Sequence, residues 1–214
     1  MTARCLALAL LILIATAAHA DTSCPSNLVQ AGSVTKNSTD PTANAGGGVS
    51  CGDYGGGSAS AFYDIPHARF FVDTRVYGDC GASAHVTVQD DFRVIGLAAG
   101  TPVAITVVLH VSANWSGGSV SDAYGNQASI FITPYDGGLG DVSLPISALG
   151  QQPFRLTFDS KAQADYAISG QASCSFSFTG LPPGTAVVSC NGYVSDQPVA
   201  ARPTSWGRLK SMYR

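Results

Sequence analysis

The stretch PVAITVVLHVSA, Pro102 to Ala113, constrains the fold more than any other part of the chain. Val103, Ile105, Val107, Leu109 and Val111 occupy alternate positions, while Ala104, Thr106, His110 and Ser112 fill most of those between. Successive side chains of an extended chain point to opposite faces, so this period of two specifies a half-buried β-strand. The same alternation recurs in ARFFVDTRVYG (68–78), AHVTVQDDFRVIG (84–96), QASIFITP, PFRLTFD and a long run from Tyr166 to Phe178, with TAVVSCNGY as the last core strand. Gly, Pro, Asn and Asp separate these runs and supply turns.

Composition points the same way. All 14 acidic residues are Asp, with no Glu, and Lys occurs only at positions 36, 161 and 210. Strong helix formers are scarce where Gly, Ser, Thr and Val abound. About eight strands joined by such turns predict an all-β fold, an antiparallel β-sandwich of jelly-roll type. The segment GSVTKNSTDPTANAGGGVSCGDYGGGS (32–58) is almost free of large apolar residues and reads as a long Gly-rich N-terminal loop. At the other end, Trp206, Leu209 and Met212 or Tyr213 in TSWGRLKSMYR recur near helical spacing, which predicts a short basic helical tail.

The first twenty residues, MTARCLALALLILIATAAHA, carry one Arg, an apolar run from Cys5 to Ala15, and the small-x-small pattern Ala18-His19-Ala20. That is the form of a secretory signal, too short to span a bilayer, with the mature chain expected from Asp21. The expected organisation is a signal peptide (1–20), a loop-rich segment (21–58), a sandwich domain (59–196) and a basic tail (197–214). No segment of the mature chain is apolar for long enough to be a membrane helix. A net charge of −3 disfavours nucleic acid and anionic membranes as partners.

Export implies an oxidising compartment, secreted or periplasmic, in which cysteines pair. Cys24, Cys51, Cys80, Cys174 and Cys190 lie beyond the signal, an odd number, with Cys24 the expected free thiol. Cys51 and Cys80 are plausible mates, although the pairing among the first three is not fixed by spacing. If Gly180 to Gly184 is a hairpin loop, Cys174 falls opposite Cys190 on one face, at disulfide distance.

Candidate chemistry is sparse. Gly48-Val49-Ser50-Cys51-Gly52 fits the nucleophile-elbow pattern but lacks the strand-to-helix context that gives it meaning. His67, His85 and His110 show no metal-ligand spacing, and a Cys80–His85 thiolate–imidazole pair is less expected than a disulfide. Ca²⁺ is the one cofactor offered, through oxygen ligands at Asp136–Asp141 or Asp90–Asp91, though neither follows an EF-hand pattern. Trp115, in the polar stretch ANWSGGSVSDAYGNQ, together with Tyr124 and Tyr135, forms the candidate binding set. Planar rings near one end of a sandwich suit stacking on sugars or on a cell-surface protein.

The closing text GLPPGTAVVSCNGY and the stretch DDFRVIGLAAGTPVAITVVL resemble recurrent strand pairs of bacterial exported β-sandwich proteins, the extracellular domains that carry C-terminal sorting or anchor segments. The resemblance spans Ala84 to Tyr193 and implies an exported, non-enzymatic sandwich, transferring no catalytic residue. The tail lacks the apolar anchor helix of such proteins. The expected function is a binding or surface-structural module with a carbohydrate as ligand. The alternatives are a fimbrial or coat-type subunit joined by strand exchange, and an Asp-dependent carbohydrate-active enzyme.

Overall fold

The computed structural model describes residues 24–51, 55–133, 138–165 and 169–195. The expected signal peptide, the C-terminal tail, Tyr135 and Asp136 lie outside them. Two antiparallel sheets pack face to face as a sandwich. The first has the order β2 (Val34–Ser38), β1 (Asn27–Ala31), β6 (Gly81–Ile95), β11 (Pro153–Asp165), β8 (Ser116–Asp122) and β9 (Gln127–Ile132), and β13 (Ala186–Ser189) also pairs with β6. The second runs β10 (Leu139–Leu149), β7 (Pro102–Asn114), β12 (Gly170–Thr179), β5 (Arg69–Tyr77), β4 (Gly56–Asp64) and β3 (Thr42–Ser50). No described residue is helical.

The alternation that predicted the strands is the alternation that fills the core. In β7, Val103, Ile105, Val107, Leu109 and Val111 are all buried. Phe70 and Val72 of β5 and Phe176 and Phe178 of β12 meet Phe92 of β6 and Phe158 of β11 across the sandwich. Phe158 stacks on Phe176 with centroids 4.4 Å apart, and Phe92 lies edge-on to Phe176 at 5.8 Å. Burial of each such ring contributes about 1.5–3 kcal/mol, and favourable ring geometry adds to it.

The Gly-rich segment is not a loop. Val34–Ser38 and Thr42–Ser50 are strands, and Gly56 and Gly57 open β4. The reason lies in their neighbours. Ala45 of β3 faces Ala61 of β4, so two small residues close a thin part of the core where the backbone ladder supplies the order. Gly57 is obligatory, because a Cβ there would collide with the Arg75 carbonyl oxygen of β5. The sandwich therefore begins at Asn27, well before the expected boundary at residue 59.

Cys51 pairs with Cys80 as expected, but the Cys174–Cys190 pair and the free Cys24 are not found. Cys190 is bonded to Cys24, Cys51 to Cys80, and Cys174 is a buried free thiol. The segment 180–185 does not fold β12 and β13 into a hairpin. Gly180 and Gly184 both take positive φ and carry the chain from one sheet to the other. Cys174 consequently sits on β12, inward-facing beside Val111 and Phe70, while Cys190 follows β13 along β6. Burial pushes the Cys174 thiol up, against the opposing effect of Ser160, whose Oγ lies 3.5 Å from Sγ.

One edge of β6 serves two strands. β1 pairs with Ala84–Thr87 and β13 with Phe92–Ile95, and the backbone N–H of Cys190 donates to the Asp91 carbonyl just past the join. Asp90 is fully buried in the gap between them; its Oδ1 accepts from the Asp91 N–H at 2.8 Å, while its Oδ2 is left without a well-formed hydrogen bond. Burial raises its pKa, and the approach of Ser189, the Asp91 N–H and Asn191 opposes that rise without cancelling it.

Two outcomes follow from this arrangement. A non-reducing peptide map should yield Cys24–Cys190 and Cys51–Cys80, with Cys174 alkylated only after denaturation; a Cys174–Cys190 peptide would refute the pairing. A carboxyl whose folded pKa is raised contributes stability that is present below its unfolded pKa and lost as pH rises through the folded one. Wild type should therefore gain stability relative to Asp90→Asn as pH falls from 7 toward 4, read as a closing or reversing gap between their urea midpoints. A gap constant with pH would show that Asp90 does not titrate as described.

Candidate functional site

The outer face of the first sheet carries a groove of about 570 Å³ over β8, β9 and β11. Its floor follows from the register. One row across the sheet reads His85, Lys161, Gly117, Phe131, and the next reads Thr87, Asp159, Ser119, Ser129. Gly117 and Ser119 are small, so β8 forms a trough between the long or charged side chains of β11 and those of β9. Gly117 cannot be larger, because a Cβ there would run into the Ile130 carbonyl oxygen. Phe131 stands beside the trough with 62% of its surface exposed, unusual for a ring on a strand.

Trp115 closes one end. It is the single residue between β7 and β8, at the point where the chain leaves the second sheet for the first. Its φ is +49°, in the left-handed region, which costs a residue with a Cβ about 1–2 kcal/mol. Ser116 stabilises the corner, its hydroxyl donating to the Gln171 carbonyl with the Asn114 carbonyl 3.1 Å away. A bulky ring held in a conformation that glycine would adopt more readily marks a position where the side chain matters.

A polar cluster flanks the trough. Thr87 Oγ1 donates to Asp159 Oδ1 at 2.7 Å, and His85 Nε2 lies 3.3 Å from the same oxygen. Partial burial pushes the Asp159 carboxyl upward, but the hydrogen bonds from His85 and Thr87 and the charge of His85 outweigh it and hold the pKa below the ordinary value. Asp159 thus stays ionised into weakly acidic solution as a fixed acceptor, with Lys161 beside it as a donor. Asp159 and Asp165 are the carboxylates of the groove, both on β11. They are six positions apart, roughly 20 Å along a strand. Paired glycosidase carboxylates stand about 5–9.5 Å apart, so these two do not form such a pair.

Of the two aromatic candidates among the described residues, Trp115 belongs to the groove and Tyr124 does not; Tyr135 lies outside the described residues. Tyr124 is 90% exposed at the far end of β8, on the hairpin to β9, and borders a separate recess with Leu149 and Arg155. Its position is set by Asp122, whose Oδ1 accepts from the backbone N–H groups of Tyr124 and Asn126, both at 2.9 Å. Asp90 and Asp91 point to opposite faces of β6; Asp91 is engaged by Arg155 through two bonds of 2.8 Å, so the two do not converge on a cation. Asp141 bonds to His110, and no cluster of metal-ligating side chains occurs among the described residues. Ser50 ends β3, Cys51 is disulfide-bonded and the next described element is the strand β4, so among the described residues no helix follows the elbow-like motif. The Cys80 sulfur is likewise held in the bond to Cys51, leaving His85 to Asp159 and Thr87.

Phe131, Asp159 and His85 were not singled out by sequence as binding residues. The alternation of QASIFITP was itself the available signal, since it puts Ile130 and Ile132 on one face and Phe131 on the other. The chain matches no known protein family and no curated protein.

Proposed function

We propose that the protein is an exported binding module that holds a carbohydrate in the Trp115 groove. The observation that carries this reading is Trp115 itself: a ring fixed at the head of a shallow trough by a strained backbone. Sugar rings present apolar C–H faces and a fringe of hydroxyls. Trp115 and Phe131 offer faces for stacking, while Asp159, Lys161, Gln163 and Ser129 offer acceptors and donors for the hydroxyls. The open, shallow form suits a chain of sugars lying along the sheet. Two disulfides fit a protein working in an oxidising compartment, secreted or periplasmic, and a β-sandwich is a common scaffold for such sites.

A glycan array probed with the protein should identify a bound oligosaccharide, and calorimetry with that sugar should show a single site. Trp115→Ala and Phe131→Ala should each weaken binding about tenfold or more, near 1.4 kcal/mol or above, whereas Tyr124→Ala should leave it unchanged. Binding indifferent to Trp115, or absent from the whole array, would overturn the proposal.

A further inference from the structure

The opposite outer face, that of the second sheet, carries an arrangement that no pattern in the sequence announces. His110 of β7 has Nδ1 2.9 Å from Asp141 Oδ1 of β10 and Nε2 3.0 Å from Ser177 Oγ of β12. The order is that of a nucleophile, a base and an orienting carboxylate. An ionised carboxylate only accepts hydrogen bonds, so Nδ1 carries the proton and Nε2 is left as an acceptor for the Ser177 hydroxyl. The register fixes the three groups. Asp141 lies directly opposite His110, and Ser175 lies opposite His110 on the other side, which places Ser177 one diagonal step along β12.

A pocket of about 390 Å³ adjoins Ser177, bordered by Ser175, Arg69, His67 and Tyr193. It exists because pairing between β12 and β5 stops at Ser175–Arg69, leaving the next residues of β12 without a strand on that side. The Phe176 N–H points that way, donating to the Ala68 carbonyl at 3.3 Å. Antiparallel alternation sends the Phe178 N–H the same way, two residues on, toward the pocket that Phe178 helps to line. The residue after the nucleophile thus offers a backbone donor, and Arg69 a cation, on the side where negative charge would develop on a carbonyl oxygen.

We infer that Ser177, His110 and Asp141 form a second site, a nucleophilic one that cleaves esters of short acyl groups. It lies on the other outer face from the sugar groove and does not rest on that reading. Ser177 Oγ attacks the ester carbonyl carbon as its proton passes to His110 Nε2. The bond to the alcohol oxygen then breaks, and His110 returns the proton to the departing alcohol. Water attacks the acyl-Ser177 ester, giving a proton to His110; the carboxylic acid leaves as Ser177 Oγ recovers that proton. Asp141 is a positioning residue that fixes the imidazole tautomer. Because His110 and Asp141 are 43% and 62% exposed, turnover should be slow and best seen on activated esters.

The test uses the full disulfide-bonded chain with p-nitrophenyl acetate and a fluorophosphonate probe. The inference expects a burst of about one equivalent of p-nitrophenolate and a probe adduct mapped to Ser177. Ser177→Ala should remove both, and His110→Gln should slow acylation about 100-fold. Ser177→Cys, read by iodoacetamide at neutral pH, should be alkylated faster than its His110→Gln double variant, which keeps the inference open to refutation if Ser177→Ala does not fold. No adduct at Ser177, hydrolysis that persists in Ser177→Ala, or alkylation of Ser177→Cys indifferent to His110 would each overturn it.

Discussion

The structure depends on the burial of Phe92. It projects from β6 at the place where that strand passes from one edge partner, β1, to another, β13. The ring lies 5.4 Å from Phe178 and 5.8 Å from Phe176 of the second sheet, and 6.1 Å from Tyr193 of the closing segment. One aromatic cluster therefore joins the two sheets and also holds the chain that follows β13. The Cys24–Cys190 bond spans 166 residues at the same junction. In the chain-entropy account a loop of that length contributes about 5 kcal/mol, against about 3–4 for the loop of 29 closed by Cys51–Cys80. The cluster and the long disulfide act on the two ends of the sandwich, which meet along a single edge of β6.

Asp90 has a place in that arrangement. A strand shared end to end by two partners has an interruption, and at the interruption neither partner pairs with its edge. Asn27 Oδ1 takes the Gln89 N–H at 2.8 Å, which satisfies a backbone donor left over where β1 ends. Polar side chains fill the rest of the gap. Their unpaired atoms oppose folding, and the surrounding aromatic packing outweighs them.

Strand content was legible wherever side chains alternate, as in β7, β11 and β12, because burial on one face selects for period two. It was illegible in β3, where TANAGGGVS has too few side chains to show a period; the ladder with β4 supplies what the pattern lacks. The Cys51–Cys80 bond was legible, but the Cys174–Cys190 pairing failed for another reason. Placing Cys174 opposite Cys190 assumed that neighbours in sequence are neighbours in one sheet, whereas the chain changes sheets between them. The candidate site was half legible. Trp115 stood out as an aromatic in polar surroundings, but Asp159 and His85 are brought together from positions 74 apart, and Ser177 and His110 from 67 apart. No local pattern encodes contacts of that range.

A second change of sheet, from β7 to β8 at Trp115, explains how one short stretch feeds both outer faces. His110 and Trp115 are five positions apart, yet one belongs to the outer surface of the second sheet and the other to that of the first. On a continuous strand an odd separation would turn the two side chains to opposite faces of one sheet, and Trp115 would be driven inward. The left-handed residue at the corner breaks that alternation. It turns the backbone across the edge of the sandwich, and the ring emerges on the far surface while Val111 and Ala113 remain in the core. The strain at Trp115 is thus a condition of the topology as well as of the groove. A glycine there would meet the topological demand alone; only the aromatic side chain meets both.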